Sequence, residues 1–166
     1  MEAGVVEHIH LAETTGAPIY AVSSVEAVAG EGLVGDRTYG QATAKGRAGE
    51  GLDLTLVEAE MVEALLTDAG IELAPGEVRR QLTTRGVALN DLVGRQFRVG
   101  QVVLRGVRSC DPCALLERRT RPGARAVLEH RAGVRADVVT GGTIRTNDAV
   151  AAVTYDSESA ARMLTR

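Results

Sequence analysis

Both cysteines of the chain lie in Ser109-Cys110-Asp111-Pro112-Cys113-Ala114-Leu115-Leu116, between a run that reads as a strand and a run that reads as a helix. Gln101 to Arg108 is rich in β-branched residues, whereas Asp111 suits a helix N-cap and Pro112 a first helical position. This places Cys113 in the first turn of a predicted helix. There the unpaired N–H groups and the positive end of the helix dipole favour a thiolate, and Arg108, Arg118 and Arg119 add to that field. The thiolate is the form of cysteine that attacks electrophiles and binds metals.

Several chemistries are open to such an element. A Cys-x-x-Cys pair can form a thioredoxin-like redox couple, but that site needs a strand running directly into a long helix within a βαβ unit, and the segments before Cys110 read as a meander of strands. Structural zinc needs four ligands, and beyond the cysteines the chain offers only His8, His10 and His130, without metal-ligand spacing. His8 and His10 share one face of a predicted strand, and each reads as an exposed or hydrogen-bonded surface histidine. A His-dependent cysteine hydrolase has no support in the residues around the cysteines. The plain alternative is that both thiols are small buried hydrophobes, which suits Cys110 better than Cys113.

The elements that must position this thiol come from a chain of 166 residues, 45% hydrophobic and 25% charged, which suits one domain over residues 1–166 with a tail at 155–166. The acidic N-terminal residues do not resemble a signal peptide, and no apolar run is long enough to cross a bilayer, so a cytoplasmic protein without a membrane partner is expected. The net charge of −3 hides a division. Residues 1–78 carry 14 acids against Arg37, Lys45 and Arg47, whereas residues 79–145 carry 14 arginines against 5 acids. Guanidinium forks pair bidentately with phosphates and carboxylates, so the second half points to an anionic ligand. Aromatics at 2%, no tryptophan and a pI near 5.7 argue against a nucleic-acid partner.

Val5 to Val28 reads as two strands around a turn at residues 14–18, followed by a glycine loop ending in Asp36-Arg37 and a mobile polar loop over 38–51. Leu52 to Leu56 is a predicted strand. Val57, Met61, Val62, Leu65, Leu66 and Ala69 form one helical face, with Gly70 as the stop. Val78 to Gly86 reads as a strand carrying Arg79 and Arg80, residues 124–128 as a short helix, 137–145 as a hairpin turning at Gly141-Gly142, and 149–154 as the closing strand. Many short strands with few, irregularly placed helices predict a mainly β (α+β) barrel-like fold with peripheral helices.

Taken in order, five segments together resemble the MOSC domain, the module named for the carboxy-terminal part of molybdenum cofactor sulfurases. They are Gly32-Leu33-Val34-Gly35-Asp36-Arg37, the run Arg79 to Leu89, the run Leu92 to Gly100, Cys110-Asp-Pro-Cys113, and Gly141-Gly142-Thr143-Ile144 with Asp148. The resemblance spans roughly residues 4–154. It implies a β-barrel-like fold that binds a molybdenum–pterin cofactor, with Cys113 as metal ligand or sulfur carrier and Cys110 dispensable. It further implies an oxidoreductase that reduces N-hydroxylated or similar small molecules with electrons from separate redox proteins. A non-enzymatic persulfide or cofactor carrier is the alternative, and a Cys110–Cys113 thiol–disulfide switch a lesser one. Arg79 and Arg80 would take the pterin phosphate, with Arg37 approaching through its loop. Asp36 is read as a turn and arginine-orienting residue rather than a general base. Where the family usually has asparagine after the arginine pair, this chain has Gln81, which moves the amide by a methylene. Lys45 is the only lysine and lies in a glycine-rich loop, so a pyridoxal phosphate Schiff base is not expected.

Overall fold

The computed structural model describes residues 3–112, 117–118 and 120–153. Eleven strands are formed among them: β1 (Gly4–Leu11), β2 (Tyr20–Val22), β3 (Ser24–Val28), β4 (Gly32–Leu33), β5 (Leu54–Glu58), β6 (Leu82–Arg85), β7 (Gln96–Val99), β8 (Val102–Ser109), β9 (Val134–Thr140), β10 (Gly142–Arg145) and β11 (Ala149–Ala152). Three helices accompany them, α1 (Gln41–Ala44), α2 (Ala59–Ala69) and α3 (Ala124–Val127), with a 3-10 turn at Leu89–Leu92. None is long and apolar enough to cross a membrane.

Seven strands close on themselves in the order β11-β7-β8-β9-β5-β6-β1, the ring being completed by β1 against β11, and β2 adds to the free edge of β1. All neighbours are antiparallel except β5 and β6, whose connection carries α2. A three-stranded sheet β10-β3-β4 lies beside the barrel. The mainly β, barrel-like expectation holds. Alternation along each strand sends Val6, Ile9, Leu54, Leu56, Leu82, Phe97, Leu104, Ala136 and Val138 into one core. A second cluster on the outer barrel surface packs Val57 of β5 against Leu65 of α2, Ala124 of α3 and Leu128 just after it.

Helix α2 ends as its sequence requires. Gly70 is left-handed at φ 65°, and the N–H groups of Gly70 and Ile71 bond back to the carbonyls of Leu66 and Leu65. Gly133 is required by close approach: at φ 108°, a Cβ there would lie 2.0 Å from the Leu56 carbonyl oxygen.

Three local expectations are corrected. The strand expected from Val78 starts only at Leu82, because Arg79 adopts a left-handed φ of 60° and breaks the extended run. The glycine pair at 141–142 does not make a hairpin. β9 belongs to the barrel, and the chain crosses at Gly141 to let β10 pair with β3, with Gly141 packed against the Ala27 carbonyl oxygen. The polar loop at 38–51 is partly structured by α1, whose Thr43 hydroxyl donates to Glu31 at 2.7 Å.

Candidate functional site

The side chains that alternate with the core residues of β9, β5, β6 and β1 face outward, and here the outward face is covered by loops instead of solvent. Asp53, Thr55, Thr83 and Asp137, all on this face, are buried, as are Gln81 just before β6 and Asp36 in the loop after β4. The Gln81 amide joins two of these elements. Its oxygen accepts from the Thr55 N–H at 2.9 Å and from the Thr55 hydroxyl, and its nitrogen donates to Asp36 at 2.9 Å and to the Thr38 hydroxyl at 3.2 Å.

Asp36 is the hub. One oxygen accepts from the Ala12 N–H at 3.1 Å and the Arg37 guanidinium at 3.2 Å; the other accepts from the N–H and hydroxyl of Thr38 and from Gln81. Burial alone would raise its pKa, but the donated bonds from Gln81, Thr38 and Ala12 outweigh burial and hold the carboxyl below its ordinary value. It therefore stands as a carboxylate that fixes Arg37.

Arg37 also reaches forward, donating to the Arg79 carbonyl at 3.1 Å, and so braces the residue whose backbone is left-handed. The Arg79 guanidinium in turn bonds the Ala17 carbonyl at 2.9 Å, beside a cavity of about 460 Å³ that it lines with Gly16, Pro18, Ile19 and Glu77. Arg80 donates from Nε to the Ala132 carbonyl at 2.9 Å, and the very next residue, Gly133, accepts from the Cys110 N–H at 2.8 Å. The segment Ala132–Gly133 thus ties the arginine pair to the cysteine element. Cys110 is buried, with its thiol free. A second cavity, about 500 Å³, opens beside that element between Asp111, Pro112, Glu117, Arg125, Glu129 and His130.

Of the sequence-derived residues, Asp36, Arg37, Arg79 and Gln81 are linked through hydrogen bonds, whereas the Arg80 side chain bonds the Ala132 carbonyl. Cys113 lies outside the described residues. Among those described, no three histidine, cysteine, aspartate or glutamate side chains group to hold a metal.

Two features escape the sequence reading. Asp53 and Asp137 extend the β5–β9 ladder, where Leu54 pairs with Ala136, so the two acids stand opposite each other on the buried outer face. Each accepts one backbone N–H, Asp53 from Val138 and Asp137 from Gly51, and each keeps one buried oxygen with no hydrogen-bond partner. Burial raises the Asp53 pKa; the Val138 bond opposes that, and the charges of Asp137 and Glu31 reinforce it. His10, expected at the surface, is instead buried under Gly76 with Nδ1 unpartnered. Its pKa is lowered by burial and by the neighbouring His8, whose ring lies 5.8 Å away.

Residues 44–151 match the family model of the MOSC domain. The chain belongs to the MOSC domain family. Its membership makes it a domain of the kind associated with the molybdenum cofactor. No curated protein sequence matches this MOSC domain. Among solved structures, it is similar to the YuaD protein of Bacillus subtilis, with a TM-score of 0.75 at 15% identity over 93% of this chain and 98% of that one. YiiM from Geobacillus stearothermophilus is similar with a TM-score of 0.68 at 14% identity, covering 94% of this chain and 78% of its own. YiiM from Escherichia coli gives 0.64 at 17% identity, covering 95% and 72%. At these identities the likeness is one of fold.

Proposed function

We propose that this MOSC domain binds a molybdenum–pterin cofactor, with Cys113 as its sulfur ligand, and acts as an oxidoreductase on N-hydroxylated or similar small molecules. The observation that carries the reading is the pair of bonds at Ala132–Gly133, which brings the Arg79-Arg80-Gln81 run to the segment bearing the cysteines. The donor set fits the group: soft sulfur suits molybdenum, and guanidinium forks suit a phosphate. The cofactor, when bound, supplies the redox centre, and a separate electron-transfer protein replenishes its electrons.

The chain's own residues prepare the site. Asp36, ionised by its five donated bonds, fixes the plane of Arg37. Arg37 clamps the left-handed Arg79, and Arg79 and Arg80, each anchored on a backbone carbonyl, are preorganised for an anion. Gln81 supplies the amide that couples β6 to this loop. The extra methylene relative to asparagine lets one side chain span from Thr55 to Asp36.

Metal analysis of protein produced in a host that synthesises the cofactor tests this. The wild type should carry molybdenum and Cys113→Ser should lose most of it; equal molybdenum in both, or none in either, would refute the ligand assignment. A sulfur adduct at Cys113 without metal in intact mass spectrometry would instead favour the persulfide carrier.

A further inference from the structure

Strand β1 carries one residue too many for its ladder with β6. Val6 pairs with Thr84 and His8 with Thr83, which leaves Glu7 bulged between them. Val6 and Ile9 therefore both reach the core although they are three residues apart, and the two residues between them, Glu7 and His8, both face outward. On β6, where Leu82 points into the core, Thr83 and Arg85 share that outer face. Ala59, Val62 and Glu63 stand over it from one side of α2, at helical spacing, and Leu73, Pro75 and Val78 from the segment that follows. These elements enclose a cavity of about 200 Å³. An apolar cavity of about 150 Å³ takes a benzene ring, so this one has room for a ring and a short substituent.

The apolar wall from α2 and residues 73–78 faces a polar one. Arg85 donates from Nε to Oε1 of Glu7 at 3.1 Å and holds Glu63 with its other nitrogens. Glu7 Oε2, the Thr83 hydroxyl and the His8 ring have no hydrogen-bond partner among the described residues, and all three side chains line the cavity. Two carboxylates against one guanidinium leave an excess of one negative charge. Glu60 deepens it from behind, with one oxygen accepting from the Gly86 N–H at 2.9 Å and the other buried without a partner. The cavity therefore favours a cation. An ammonium group carries three donors and no acceptor, which matches a carboxylate oxygen, a hydroxyl oxygen and the bare nitrogen of a neutral imidazole.

We propose that this cavity binds a small primary amine, with its ammonium group held by Glu7, His8 and Thr83 and its apolar body, a single ring or a short branched chain, seated against Val62, Leu73 and Val78. None of these residues is among those assigned to the cofactor, so the site stands apart from the molybdenum reading.

Titration of the full chain with benzylamine, followed through the amide chemical shifts of Glu63, Gly76 and Thr83, tests the site, with benzyl alcohol and benzoate at matched ionic strength as controls. Benzylamine should give saturable shifts, benzyl alcohol should bind about tenfold more weakly for want of the charge, and benzoate should not bind. Glu7→Gln should weaken benzylamine roughly tenfold and leave benzyl alcohol unchanged, and the isosteric Thr83→Val should weaken benzylamine roughly fivefold, the scale of a neutral hydrogen bond. Val62→Phe, which fills the cavity from α2, should abolish binding of both ligands with the circular dichroism spectrum unchanged. No saturable shift with benzylamine, benzyl alcohol or benzoate binding as tightly as the amine, or affinities within about twofold of wild type in both Glu7→Gln and Thr83→Val would overturn the site.

Discussion

Replacing Asp36 by asparagine should be among the most costly single-atom changes in this protein, and its cost should depend on pH in a defined direction. The side chain is fully buried and both oxygens only accept: two donors converge on one and three on the other. Whichever way an asparagine amide is turned, its NH₂ faces at least two donors, so it breaks at least two bonds, each of them charge-assisted by the carboxylate. Net values of about 1.5–3 kcal/mol for a charged bond give a loss of at least roughly 3 kcal/mol. For a domain of this size that is a fall in melting temperature of roughly 6–12 °C. The carboxyl titrates below its ordinary value of 3.8 in the folded state, so its stabilisation is fully present above that value and is lost as the pH falls below it. Urea unfolding of wild type and Asp36→Asn from pH 7 to pH 2.5 should therefore show a wide gap at neutral pH that narrows in acid. A variant with the wild-type midpoint at pH 7, or a gap that fails to narrow below pH 3.8, would refute the hub role.

Asp53→Asn should act in the opposite sense, because its carboxyl titrates above the ordinary 3.8 when folded and the wild type loses stability as the pH rises through that range. The amide keeps an oxygen for Val138 and removes the charge facing Asp137, so stability at pH 7 should rise by about 1 kcal/mol; a fall at pH 7 would contradict this. Gly133→Ala should cost more than about 3 kcal/mol or abolish soluble expression, since its Cβ would strike the Leu56 carbonyl. Gly30→Ala, at φ 72° with open space around it, should cost only about 1–2 kcal/mol, and equal denaturation midpoints would show that conformation rather than contact governs both.

The barrel was legible because its strands are short, β-branched and punctuated by glycine, and because α2 repeats its apolar face at helical spacing up to a glycine stop. The candidate site was legible in part. Asp36, Arg37 and the Arg79–Gln81 run stand out as motifs, and they meet in the fold through Gln81 and the Arg79 carbonyl. Pairings set by register were not legible. No local signal shows that Asp53 will face Asp137, or Arg108 face Arg135, since these residues are brought together by strands that start far apart in the chain. The mistaken hairpin has the same origin: Gly-Gly marks a turn, but whether the next strand folds back or crosses to another sheet is decided by which edge is free. His10 was misplaced because a strand's outer face is exposed only if nothing covers it, and here the segment around Gly76 does.

The barrel is shut by a short seam in which Gly4 pairs with Val150 and Val5 with Ala149. Strand β1 therefore waits for β11 before that edge is sealed, and everything between the two must be synthesised in the interval. Until then that edge of β1 is an open template for other strands. The bulge in β1, between Val6 and His8 in its ladder with β6, lies two residues from the seam and twists the strand. On this view newly made chains are most exposed to aggregation just before β11 emerges, and the same seam is the place where the finished barrel would open first.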